Sequence, residues 1–154
     1  MNRFLLRIIM SFFLLCSYGV IAQTAKNVQF NSVNYTPNVN APLTTNELNK
    51  IKEVYQDHTQ VMLNDEHQLK RLKHLLRNRL NIMRLDKKDK QRNYIPLSEI
   101  ELFNYYNPNL KRDLVFDMFG FNPLKYNLNF FPTENMLYRI DGTNYFIQVK
   151  SQFQ

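Results

Sequence analysis

With 154 residues, 20 basic against 13 acidic side chains and a net charge of +7, the chain has room for one domain with a modest core and too little for two. A single cysteine, Cys16, excludes an internal disulfide. Three scattered glycines exclude a phosphate-cradling loop, and neither a Walker sequence, a dinucleotide fingerprint nor a Gly-x-Ser-x-Gly elbow occurs.

Residues 1–22 read as an export signal. Arg3 and Arg7 supply positive charge, Ile8 to Ile21 an apolar run, and Val20-Ile21-Ala22 a cleavage site. As a helix, Ile8 to Ala22 spans about 22 Å, short of a hydrocarbon core of about 30 Å, so cleavage is expected rather than anchoring. Leu15 before Cys16 is too bulky for lipid attachment there. A mature chain starting at Gln23 keeps 18 basic and 13 acidic residues, a net +5, and no cysteine, which excludes thiol catalysis. Crowded with Asn alongside Lys, Tyr, Phe and Ile, and with Ala-Gln at the junction, the sequence resembles exported proteins of Bacteroidetes-type bacteria. The resemblance implies a periplasmic or secreted location and no particular activity.

Residues 23–43 are polar, Asn-rich and punctuated by Pro37 and Pro42, which reads as a flexible segment leading into an α+β domain over 44–154. Thr44-Thr45-Asn46-Glu47 is a capping box and opens a helix. No Gly or Pro follows until Pro96. Leu48, Tyr55, Met62, Leu69, Leu76 and Met83 recur every seven residues, flanked by Ile51 and Leu72 on one side and Val54, Val61, Leu75 and Ile82 on the other. One amphipathic helix over 44–86 is the expectation, about 60 Å long at about 1.5 Å per residue. A chain of this size folds to a radius of gyration of about 14 Å by the usual scaling, so such a helix overhangs its domain or breaks. Asn64-Asp65 is the place for a break, because Asp65 and Gln68 can restart the helix as a capping pair.

Beyond residue 86 the pattern fades into a solvated linker closed by Tyr94-Ile95-Pro96. Ser98-Glu99-Ile100-Glu101 forms a second capping box and predicts a short helix over 98–106, stopped by Asn107-Pro108. Leu114 to Phe119 reads as a short strand or turn. Leu124, Tyr126, Leu128 and Phe130 alternate with polar residues and predict a strand. A hairpin follows, Leu137 to Ile140 and Tyr145 to Lys150, joined through Asp141-Gly142. The expected architecture is thus one long helix and one short helix packed on a three-stranded antiparallel sheet over 124–150.

Function is far less legible than address. Ten Lys or Arg fall between Lys70 and Arg92, and on an unbroken helix Lys70, Arg71, Arg77, Arg84 and Lys88 form one outward basic stripe. Such a stripe suits anionic lipid, an acidic envelope protein or, less compatibly with export, nucleic acid. It also suits plain solvation. Because Glu47, Glu53, Asp57, Asp65 and Glu66 crowd the first half of the helix, two copies laid antiparallel would oppose acidic and basic halves, which makes self-association a further reading. His58, Asp65, Glu66, His67 and His74 lack the one-turn spacing of a shared metal ion, so no metal and no cofactor is expected. Asp113 and Asp117 are the acids an envelope-acting hydrolase would use, but no catalytic set accompanies them. The sequence therefore points to an exported, non-enzymatic binding or structural module of the cell envelope, with a small hydrolase or an anionic-membrane-binding protein as the alternatives.

Overall fold

A computed structural model describes residues 33–85 and 94–153; residues 1–22, read above as an export signal, residues 23–32 and Lys88 lie outside them. The architecture is α+β, as the periodicities imply, but the long helix and the three-stranded sheet are both corrected. Helices α1 (Thr45–Tyr55), α2 (Thr59–Asn64) and α3 (Glu66–His74) replace the single helix, and a π turn over Leu75–Arg79 leads into strand β1 (Leu80–Arg84). Strands β2 (Ile95–Pro96), β3 (Met136–Arg139) and β4 (Tyr145–Val149) complete a four-stranded mixed sheet in the order β1-β4-β3-β2, antiparallel except where β2 runs parallel to β3.

Helix α1 starts as its sequence dictates. Thr44 Oγ1 accepts the Glu47 amide at 3.2 Å while Glu47 Oε2 accepts the Thr44 amide at 2.7 Å. Its end carries no Gly or Pro signal: Gln56 takes φ 43 and ψ −118, a conformation L-residues rarely adopt, and turns the chain into a 3-10 segment over Gln56–His58. The second break is the anticipated one. Asp65 caps α3, with Oδ1 accepting the Gln68 amide at 3.0 Å. Folding back lets α1 and α3 close on each other, so Ile51, Val54, Leu72 and Leu75 form one buried cluster with Leu124. The flanks of the expected stripe thus become the core, much of the overhang disappears, and Val61 stays largely exposed. An antiparallel pair of straight helices loses its geometry with the straight helix.

Leu80 to Arg84 was within the expected helix and is a strand, because Leu80 and Ile82 satisfy a period of two as readily as a helical one. Pairing decides: Leu80 faces Val149 and Arg84 faces Tyr145 on β4. The β3–β4 hairpin matches its expectation, with Gly142 at φ +69 in the turn and Ile140 O accepting both the amide and the hydroxyl of Thr143.

The short helix over 98–106 does not form. Only a 3-10 turn over Leu97–Glu99 is present; the Ser98 amide donates to Asp141 Oδ2, and the chain then extends. Phe103 N donates to Lys125 O and Asn127 N to Glu101 O, both at 2.8 Å, so two extended segments pair locally about Leu102 and Tyr126. In that conformation Ile100 and Leu102 reach the sheet core while Phe103 reaches the helical cluster on the other side, a division one helical face would not give. The strand expected from Leu124 is likewise replaced by a 3-10 turn, Pro123–Lys125, capped by Asn122. The alternation survives in burial only from Tyr126: Tyr126 and Leu128 are buried and Asn127 and Asn129 exposed, whereas Lys125, expected on the polar side, is buried beside Leu124.

Residues 33–43, expected to be flexible, are pinned to this frame. Val39 is buried, Ala41 O accepts Lys73 Nζ at 2.9 Å, and the side-chain amides of Asn38 and Asn78 bond each other. Residues 33–153 fall within one compact unit.

Candidate binding groove and the basic residues

The helical hairpin and the segment 127–131 leave a groove of about 560 Å³ between them. That volume lies within the range of small-ligand sites, about 300–1,000 Å³. Tyr55, Met62, Leu72 and Leu75 form one wall, with Phe103, Leu128, Phe130 and Phe131 opposite. Of these, Leu72, Leu75 and Leu128 are buried core side chains, while Phe131 is about half exposed at the rim. Polar groups are few: Gln68, Arg71, Asn127 and Asn129. Burial, reinforced by the neighbouring Tyr106, pushes the Tyr55 phenol up, so it stays a neutral hydroxyl at physiological pH.

One end of the groove is electropositive. The Arg71 guanidinium lies 4.8 Å from the Phe131 ring centroid, and that of Arg79 lies 6.0 Å from the same ring. Arg79 is buried, donating to Phe130 O at 2.7 Å and to Lys150 O at 2.9 and 3.2 Å. Desolvation, then the charge of Arg71, lowers its pKa below the ordinary guanidinium value, the direction expected of a buried cation facing another. Among the described residues neither arginine forms a salt bridge. Arg71, beside the Phe131 face and the Arg79 charge and without a carboxylate partner among the described residues, retains the capacity to pair with an anion.

The single basic stripe is not formed, because the helix that would carry it is broken. Lys70 and Arg71 sit on α3, Arg77 in the π turn and Arg84 at the end of β1, with Lys88 outside the described residues. Lys70 Nζ sits 4.9 Å over the Tyr35 ring. Arg77 turns inward, paired with Glu47 at 2.6 Å and donating to Pro42 O and Ala41 O as well. Arg84 is exposed on its strand. Of the four that are described, Arg71 alone lines the groove.

The other sequence candidates serve the fold. Asp113 Oδ1 lies 2.6 Å from Lys125 Nζ, and Glu53 Oε1 lies 3.2 Å from the same buried ammonium. Burial opposes the Lys125 charge, but the Asp113 hydrogen bond and the fields of both acids overcome it and leave the pKa raised. Asp117 accepts the amides of Phe119 and Gly120 instead. Asp113 and Asp117 are thus engaged with different partners. His58 packs on Tyr106, and His74 is buried against Tyr35 with Asn78 at Nδ1. Among the described residues no three His, Cys, Asp or Glu side chains are grouped to hold a metal ion.

The groove itself escaped sequence reasoning because its lining comes from four separate stretches. The adjacent Phe130-Phe131 was the available signal: an alternating strand buries one of two such neighbours and exposes the other. Among the described residues no helix is long and apolar enough to cross a membrane. No family model, curated protein or solved structure matches the chain.

Proposed function

We propose that the protein is an exported, non-enzymatic binding module of the cell envelope, and that it holds a partner presenting an apolar group beside a negative charge. Export rests on the signal in residues 1–22. The observation carrying the binding reading is the half-open apolar groove with Arg71 at its edge, stacked on Phe131 and without a carboxylate partner among the described residues. Apolar walls supply affinity through buried area, and a guanidinium at one end orients an acidic group. The hydrolase alternative loses ground here, since Asp113 is committed to Lys125 and Asp117 to its own turn.

The absence of tryptophan provides the assay. Phe131→Trp places one indole at the groove rim, and its emission should shift saturably as a medium-chain alkyl phosphate is titrated in. Arg71→Gln in that background should weaken binding about tenfold, the loss of one charge-assisted contact. Emission indifferent to the alkyl phosphate, or equal affinity with and without Arg71, would count against the groove as the binding surface.

A further inference from the structure

We propose that the loop from Leu114 to Phe119 is a membrane-contact wedge, seating its apolar side chains in the interface of an anionic bilayer while Lys111 meets lipid phosphates and the charge of Arg112 adds to the attraction. The loop lies outside the groove described above, and the proposal does not depend on it.

Lys111-Arg112-Asp113-Leu114-Val115-Phe116-Asp117-Met118-Phe119 packs five large apolar residues into six positions. One is turned inward: Phe116 packs on Phe121 and Tyr145, with ring centroids 5.5 and 5.0 Å away. The other four point to water. Leu114 is 99% exposed, Val115 and Phe119 are 81% exposed, and Met118 is 46% exposed.

This exposure is held in place. Arg112 donates to Leu97 O and Ile100 O before the loop, and Asp113 is bound by Lys125. After it, the Phe121 amide donates to Asp117 O at 2.8 Å, and the Asp117 carboxylate takes the amides of Phe119 and Gly120. A Cβ on Gly120 would stand 2.7 Å from Asp117 Oδ2, so glycine lets that carboxylate close the turn. A turn fixed at both ends, with Phe116 as its inward anchor, displays the remaining apolar side chains where collapse onto the fold would have hidden them.

The kind of exposure selects the partner. A leucine at 99% exposure touches almost nothing of its own chain, so it projects singly and forms no part of a flat patch. A fluid acyl interface closes around separate projecting side chains without a matching pocket, whereas a protein partner needs complementary relief. Charge points the same way. Asp113 is neutralised by Lys125, and although Asp117 accepts only neutral amides and keeps its charge, Lys111 and Arg112 form no salt bridge among the described residues, which leaves the loop's unpaired charge net positive. Arg112 donates to neutral carbonyls and lies 5.6 Å from the Tyr126 ring centroid, so no acid neutralises its charge, and Lys111 beside it is exposed. Apolar tips flanked by unneutralised cations are the composition of an interfacial anchor.

Flotation of the mature protein with vesicles of phosphatidylglycerol and phosphatidylethanolamine tests this. Leu114→Ser and Phe119→Ser, at positions too exposed to support the core, should each lower the partition coefficient about tenfold. Lys111→Glu should weaken binding to these vesicles and leave the weaker binding to pure phosphatidylcholine unchanged. In Phe119→Trp, the chain's one indole should shift to the blue on vesicle addition and be quenched by lipids brominated high on the acyl chain. Absence of vesicle binding, binding that survives Leu114→Ser and Phe119→Ser together, or an indole that stays in water would overturn the proposal. So would vesicle binding that responds only to Arg71→Gln, which would assign it to the groove.

Discussion

Arg77→Met should destabilise the protein by an amount that depends on pH in a defined window. The guanidinium of Arg77 grips both oxygens of Glu47, at 2.6 and 2.7 Å, and donates to the carbonyls of Asn38, Ala41 and Pro42, tying the π turn to the start of α1. The Arg77 hydrogen bond, helped by the Thr44 amide and opposed by burial, lowers the Glu47 pKa from 4.5 to about 2. At about 1.4 kcal/mol per unit, that shift is worth roughly 3 kcal/mol, and solvent screening at this largely but not fully buried pair trims it to about 2 kcal/mol. A folded carboxyl with a depressed pKa contributes its stability above the unfolded value and loses it as pH falls through the folded one. The variant should therefore lose about 2 kcal/mol near neutral pH, a drop in Tm of about 8 °C for a domain of this size. The deficit should shrink between pH 4.5 and about 2. Urea unfolding followed by circular dichroism across that range reads it directly. Glu47→Gln is the companion, because it keeps a capping partner at that position while deleting the charge. A deficit in Arg77→Met that stays constant down to the acid end of the range would refute the electrostatic account and leave packing as the cause.

Two further outcomes follow from the same physics. Gly142→Ala should cost about 1–2 kcal/mol by forcing an L-residue into φ +69, because a Cβ there meets nothing within 4 Å and the whole penalty is backbone; thermal unfolding unchanged by the substitution would show that the hairpin closes differently. His74 is buried with Nε2 unpartnered, and desolvation followed by the charge of Arg79 holds its pKa below 6.5, so the unfolded chain takes up a proton that the fold refuses. Stability should fall as pH drops through 6.5 and level off once the folded imidazole is protonated. In His74→Phe the urea midpoint should lose that decline, and an identical slope in both proteins would place the titrating group elsewhere.

What could be read without coordinates was local. The Thr44 capping box, the Asp65 restart and the Asp141-Gly142 turn depend on neighbours within a few residues, and each is present. The α+β class follows from local periodicity alone. What the sequence did not decide was which of two locally acceptable conformations wins. Leu80 and Ile82 fit a helix or a strand until β4 supplies backbone partners for the strand, and Ser98 to Glu101 fit a helix until Ile100 and Phe103 are drawn into different clusters. The turn at Gln56 has no signal because its φ of 43 is strained for a residue other than glycine, and the buried cluster that joins α1 to α3 exists only in the folded chain. The basic residues show the same limit. An outward stripe counted on a straight helix became Arg71 at a groove, Arg77 in an internal ion pair and Arg84 on a strand, because contacts between residues tens of positions apart decide where each charge finally faces.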